Sequence, residues 1–168
     1  MKKTILLFFI ITIFSKAQSE NGMAVYYSAD NKHQFTIPET WTELDLNENA
    51  DIQVGSEQDE AYMILLVDSK DDLFGWNLQK HSYSTFANIL SGLYFPKIEG
   101  PTELTVAGNK AIKFKLEGTS EDINIVYFHV VIETETNFNQ VLAWSLKSKF
   151  KQNEKLLMDV INSFVEND

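Results

Sequence analysis

The sequence predicts an α+β fold in which an antiparallel β-sheet is flanked by helices. The strongest observation is the segment Ile123–Thr134, INIVYFHVVIET, whose two alternating faces are both largely apolar. Such a strand lies centrally in a sheet with both faces covered. A second apolar run, Ala61–Val67, has the same character. Two later stretches with apolar residues spaced three and four apart predict the helices that cover these strands.

The first 17 residues have the pattern of a signal peptide. Lys2 and Lys3 precede the apolar run Thr4–Phe14, and Ala17 supplies a small residue for cleavage. The run is shorter than the roughly 20 residues that span a bilayer, so a retained anchor helix is the weaker interpretation. We therefore predict an exported, periplasmic or extracellular protein. Residues 18–168 are expected to form a single domain without a membrane span.

Composition excludes several classes of function. The chain has no cysteine, which excludes a lipid anchor on that residue and any disulfide. All 14 of its basic residues are lysines, and its formal net charge is −10. Without the predicted signal peptide the charge is more negative still. A surface of this sign repels nucleic acid and anionic lipid, so a nucleic-acid partner is excluded.

The first half of the mature chain alternates short strands with turns. Strands are predicted at Ala24–Ser28 and His33–Ile37, the second closed by a proline, and an acidic loop follows at Glu43–Asp51. A half-exposed strand around Ile52 and Val54 then precedes Ala61–Val67, which is expected to pair back on it.

A long connection, Asp68–Asn77, leads to the first helix. This helix is predicted to begin within Asn77–Ser84 and to end near Leu90, with Gly92 as its C-cap. The next stretch contains two prolines, Pro96 and Pro101, and is predicted to be an irregular link.

The second half predicts a β-meander followed by a helix. Turns at Gly108-Asn109, Gly118–Asp122 and Thr136-Asn137 separate the strands, the last of which is Phe138–Lys147. In that strand the odd positions are small, as if another element packs closely over them. The final helix is predicted from its N-cap at Ser148 and from an apolar face of Phe150, Leu157, Val160, Ile161 and Phe164.

Three short motifs resemble the PsbP-like superfamily. They are the opening Phe35-Thr36-Ile37-Pro38 with Tyr27 before it and Trp41 after it, the turn segment Val106–Ala111, and the ending Val160–Phe164. The resemblance spans nearly the whole mature chain and includes exported bacterial PsbP-related and DcrB-like proteins. It implies an antiparallel sheet sandwiched between helices, and a binding, assembly or chaperone-like role without catalytic residues.

The residues themselves offer no catalytic, cofactor or metal site. His33, His81 and His129 lie far apart in sequence and lack the neighbouring ligands that zinc requires, so structural roles are favoured. Neither a G-x-S-x-G elbow nor a phosphate-binding glycine loop is present. The acidic residues of the Asp68–Asp72 segment could suggest calcium, but without an EF-hand pattern a solvated loop is favoured.

The most suggestive feature is the run Leu73-Phe74-Gly75-Trp76. Leu73, Phe74 and Trp76 are large apolar residues in a connection that should lie on the surface, where aromatic anchors beside a glycine are typical of partner-binding loops. Alternatively, these side chains fold back and seal the sheet against the first helix.

Three functions are compatible with these features. The first is an exported, non-enzymatic binding or assembly module whose partner is another exported or envelope protein. The second is a small-ligand carrier with an apolar pocket between the sheet and a helix, for which the small residues of Phe138–Lys147 could leave room. A hydrolase is the weakest, because no nucleophile and base are visible.

Overall fold

The structure, a computed structural model, describes residues 22–167. The predicted signal peptide lies outside these residues. The described elements are β1 (Met23–Tyr27), β2 (His33–Pro38), β3 (Thr42–Glu43), β4 (Ile52–Ser56), β5 (Ala61–Ser69), α1 (Leu78–Ser91), β6 (Tyr94–Val106), β7 (Asn109–Ser120), β8 (Ile123–Glu133), β9 (Asn137–Leu146), α2 (Lys147–Asn162) and β10 (Val165–Glu166).

Seven of these strands form one antiparallel sheet in the order β3-β4-β5-β9-β8-β7-β6. The predicted central strand, β8, pairs with β7 on one side and with β9 on the other. Its placement in the interior of the sheet is therefore confirmed. The second apolar run, β5, is also an interior strand, between β4 and β9.

The two helices cover opposite faces of this sheet. Ile112, Phe114 and Leu116 of β7 pack against α1, whereas Val126 and Phe128 of β8 belong to the core that includes the residues of α2. Because neighbouring side chains of a strand point to opposite faces, both faces of the central strands can be apolar. The α+β prediction, an antiparallel sheet flanked by helices, is confirmed.

Helix α2 fills the space above the small residues of β9. Ser145 and Ala143 are fully buried, and the Asn153 side-chain amide of α2 donates a hydrogen bond to Ser145 Oγ at 3.0 Å. The close packing inferred from these small side chains is thus present. This contact occupies the space directly over Ser145.

The predicted N-cap of α2 is wrong. The helix begins at Lys147, and Leu146, which precedes it, makes no side-chain capping bond. Ser148 lies inside the first turn because β9 passes directly into the helix without a linker. Phe164, assigned to the helix from its spacing, lies just beyond the C-cap Ser163, and its side chain is nevertheless fully buried.

Helix α1 agrees with its predicted bounds. Asn77 is the N-cap, and its side-chain oxygen accepts a hydrogen bond from the Lys80 backbone N–H at 2.8 Å. Such a bond satisfies one of the donors left free in the first turn. Gly92 is the C-cap, as predicted.

The irregular link predicted around Pro96 and Pro101 is wrong. Both prolines lie in β6, a 13-residue strand at the edge of the sheet. Its pairing with β7 shifts register between Tyr94 and Lys97 and again between Glu99 and Thr102. An edge strand with bulges accommodates proline, because the missing N–H is not needed on its open side.

The first two strands do not join the main sheet. Strands β1 and β2 form a separate three-stranded sheet with β10, a short strand that the sequence did not suggest. Glu166 of β10 accepts hydrogen bonds from the side-chain amides of Asn137 and Asn139 at 2.7 and 2.9 Å. Partial burial would raise the pKa of Glu166, but such hydrogen bonds hold it below its usual value.

Candidate partner-binding loop

The loop between β5 and α1 lies at the end of the sheet where β9 begins. Strand β5 continues to Ser69, so the connection is two residues shorter than predicted. The Lys70 backbone N–H donates a hydrogen bond to the Thr136 carbonyl at 2.9 Å. The Lys70 ammonium also lies 3.1 Å from the Glu133 carboxylate. Both the backbone and the side chain of Lys70 therefore connect the loop to the β8–β9 turn.

Short backbone hydrogen bonds give the loop a defined shape. The N–H groups of Leu73 and Trp76 donate to the carbonyls three residues earlier, at 3.2 and 2.9 Å. Gly75 has a φ of +77°, a conformation that side-chain-bearing residues rarely adopt. The glycine thus allows the chain to reverse directly after Phe74.

The three apolar residues of the loop have different environments. The Phe74 side chain is 97% exposed, whereas Leu73 and Trp76 are partly buried. The Trp76 ring packs edge-on against His81 with centroids 6.1 Å apart, and the Lys80 ammonium lies 4.6 Å from its centroid. Trp76 therefore folds back onto the start of α1, while Phe74 projects into solvent.

Trp76→Ala is expected to lower the free energy of unfolding by about 1–2 kcal/mol, because it removes a partly buried ring from the start of α1. Urea denaturation would measure this change. Phe74→Ala is the matched control and should stay within about 0.5 kcal/mol of wild type. Equal losses in the two variants would contradict the different environments described above.

Two of the three histidines meet beneath α1. His81 of the helix lies 2.8 Å from the half-exposed Asp68 carboxylate and stacks on Phe138 with centroids 4.7 Å apart. His129 of β8 is fully buried, and its Nε2 lies 3.1 Å from the Thr85 hydroxyl. These contacts fasten the helix that follows the loop to the face of the sheet.

Burial, reinforced by the nearby His81, lowers the pKa of His129 from 6.5 to about 3. The ring is therefore neutral over the physiological range. Within residues 22–167, no group of three or more histidine or carboxylate side chains is placed to hold a metal ion. Asp68, considered above for calcium, is instead the partner of His81.

A cleft of about 520 Å³ begins where the loop ends. The first turn of α1, from Asn77 to Gln79, forms one wall, and the adjoining ends of β6 and β7 form the other. Glu103, Lys110 and Glu133 line it. Sequence reasoning missed these residues because pairing of β6, β7 and β8 brings them together, and no local pattern marks them.

Comparison with known proteins gives the fold a name. No protein-family model and no curated protein matches the sequence. Among solved structures, PsbP (CyanoP) from Synechocystis superposes with a TM-score of 0.64 at 11% identity, covering 87% of this chain and 93% of that protein. The chain has the PsbP-like fold.

Two further proteins share the PsbP-like fold. LpqN of Mycobacterium tuberculosis, involved in cell envelope biogenesis, matches with a TM-score of 0.59 and 11% identity, over 87% of this chain and 91% of LpqN. The Ran-binding protein Mog1p of Saccharomyces cerevisiae matches with a TM-score of 0.57 and 10% identity, over 87% and 96% of the two chains. At identities of 10–11%, these comparisons show a shared fold.

The three motifs that resemble the PsbP-like superfamily lie in strands, in a turn and at a helix end. Phe35–Pro38 forms the end of β2, Val106–Ala111 contains the turn between β6 and β7, and Val160–Phe164 spans the end of α2. None of them lies in the Leu73–Trp76 loop. No helix within residues 22–167 is long and apolar enough to cross a bilayer.

Proposed function

We propose that this protein is a non-enzymatic binding module that acts outside the cytoplasm and recruits a protein partner through the Leu73–Trp76 loop. The observation that carries the proposal is the 97% exposure of Phe74. A phenylalanine in water gains nothing for folding, whereas buried in a partner's pocket it would contribute up to about 3 kcal/mol.

The loop also has the rigidity that an anchor requires. Its backbone is closed by hydrogen bonds at Leu73 and Trp76 and tied to the β8–β9 turn through Lys70. A loop backbone held in place before binding loses less conformational freedom when the complex forms. Phe74 is therefore presented by a preorganised turn.

Charge around Phe74 defines the partner more closely. Asp71 and Asp72 are exposed just before it, and the half-exposed Asp68 precedes them. A partner surface that complements this arrangement has an apolar pocket rimmed by lysine or arginine. Such charges would speed association at low salt and lose that effect as salt is added.

Proteins with the same fold are compatible with such a role. Mog1p is a Ran-binding protein, and LpqN is involved in cell envelope biogenesis. The signal-peptide pattern of residues 1–17 supports export. Together they favour an envelope or secreted protein as the partner.

A photocrosslinking amino acid at position 74 tests the proposal in the cells that produce the protein. We expect one dominant crosslinked protein, identified by mass spectrometry, because an exposed anchor enters a single pocket. Position 25 is the matched control, since Val25 is 49% exposed on the separate three-stranded sheet.

The crosslinked protein should also be retained in a pull-down by wild type and released by Phe74→Ala. Crosslinks of the same proteins from positions 74 and 25 would indicate non-specific encounter and refute the proposed loop. Turnover of an ester or peptide substrate by the purified protein would refute the non-enzymatic role.

A further inference from the structure

A groove of about 280 Å³ lies at the opposite end of the sheet from the loop. It is formed by the ends of β6 and β7 that lie away from their connecting turn and by the first turns of α2. Strand β9, which has ten residues, runs from the loop end to this end over about 30 Å. The groove is therefore separate from the candidate partner-binding loop.

Four lysines line this groove, which we call the lysine groove. Its lining includes Lys97, Lys115, Lys147 and Lys151, with three glutamates. The chain as a whole carries 14 basic residues and 24 acidic ones. The groove thus has a local excess of positive charge on a protein whose net charge is −10.

The dipole of α2 does not explain why Lys147 stands at the start of the helix. Lys147 and Lys149 occupy the first turn of α2, which contains no acidic residue and has no side-chain cap. Positive charge at this end of a helix opposes the helix dipole. The helix dipole therefore does not favour Lys147 at this position, where its ion-pair partner is Glu117 of β7.

Part of the charge is already held in ion pairs. Glu117 lies 2.7 Å from the Lys147 ammonium and 3.2 Å from that of Lys97, and these contacts hold its pKa below the usual value. Lys115 lies 3.1 Å from Glu154. Within residues 22–167, Lys151 forms no ion pair. These contacts orient the ammonium groups along the groove.

We propose that the lysine groove binds a short acidic segment of a protein partner. Carboxylates of the segment would contact Lys151, which has no ion pair among the described residues, and Lys147, which would exchange Glu117 for the segment. An apolar side chain between them would cover the small exposed parts of Val126 and Phe150, which are 3% and 6% exposed and also line the groove. The charges on the two surfaces are complementary.

Extended polyanions fit the groove poorly. Its glutamates and the net charge of −10 repel a phosphate backbone or an anionic bilayer over a long range, and the chain has no arginine for bidentate phosphate contacts. A short segment places few negative charges near the acidic surface. The inference is independent of the function proposed for the loop.

A dye-labelled peptide with one leucine between two pairs of glutamates tests the groove by fluorescence anisotropy. We expect binding that weakens with salt, and an affinity about tenfold lower for the double variant Lys147→Gln/Lys151→Gln. The control is Lys32→Gln/Lys155→Gln, which has the same net charge. It should bind within about twofold of wild type, because both residues lie outside the groove.

Several results would overturn the inference. No peptide binding, or equal weakening in both double variants, would show that no local site exists. Tighter binding of polyphosphate or phosphatidylglycerol vesicles would assign the groove to phosphate. Self-association that Lys147→Gln/Lys151→Gln abolishes would assign the groove to a second copy.

Nuclear magnetic resonance tests the inference without any variant. Amide shifts on peptide addition that are confined to β6, β7 and the start of α2 would support it.

Discussion

Phe164→Ala is expected to lower the free energy of unfolding by about 3–5 kcal/mol. Phe164 is fully buried just beyond α2, and its ring lies 5.5 Å from that of Phe35 and 6.2 Å from that of His33. It therefore joins the end of α2 to β2 of the separate sheet. Removing the ring leaves a cavity where these two elements meet.

Urea denaturation monitored by circular dichroism would measure the effect. The neighbouring Val165→Ala is the matched control, because Val165 is 37% exposed and should change the stability by less than about 1 kcal/mol. A Phe164→Ala protein as stable as this control would contradict the burial on which the assignment of the C-terminal core depends.

The second large effect is a loss of stability in mild acid caused by His129. Its pKa is about 3 in the folded protein and near 6.5 when exposed, so between these values the unfolded chain binds one proton more. Above pH 6.5 this group does not reduce the free energy of unfolding. As the pH falls from 6.5 toward about 3, the free energy of unfolding decreases. The slope approaches about 1.4 kcal/mol per pH unit.

Denaturation curves of wild type and His129→Gln at several pH values between 7 and 4.5 would isolate this contribution. The free energy of unfolding of wild type, relative to that of His129→Gln, should fall by about 2–3 kcal/mol over that range, because only wild type contains the buried imidazole. Carboxylates affect both proteins equally and cancel. A difference that is independent of pH would contradict the burial of a neutral His129.

Periodicity was sufficient to predict the elements whose neighbours follow closely in sequence. The two-sided apolar pattern of Ile123–Thr134 correctly predicted an interior strand, and the Asn77 and Gly92 signals bracketed α1. These features depend on side-chain alternation or on capping within a few residues. Local sequence carries that information directly.

Local sequence does not predict the elements that depend on pairing with distant segments. Pro96 and Pro101 indicated a loop, but pairing with β7 and an edge position make this segment a bulged strand. Strand β10 has two residues and exists because β2 is available to pair with it. A short segment of this kind has no periodicity of its own.

The candidate site was predictable in part. Composition marked Leu73, Phe74 and Trp76 as unusual for a surface connection, but it could not separate the exposed Phe74 from Trp76, which packs on His81. That distinction depends on where α1 begins and on the turn at Gly75. The proximity of His81 to His129 likewise requires the helix to lie across the sheet.

We propose that Phe74 serves binding and contributes little to folding. The most direct test measures the melting temperature and the Kd for the crosslinked partner in wild type, Phe74→Ala and the exposed control Val25→Ala. We expect three closely similar melting temperatures and a Kd about tenfold or more higher for Phe74→Ala alone. An unchanged Kd for Phe74→Ala, or a melting temperature lowered by several degrees, would contradict the claim.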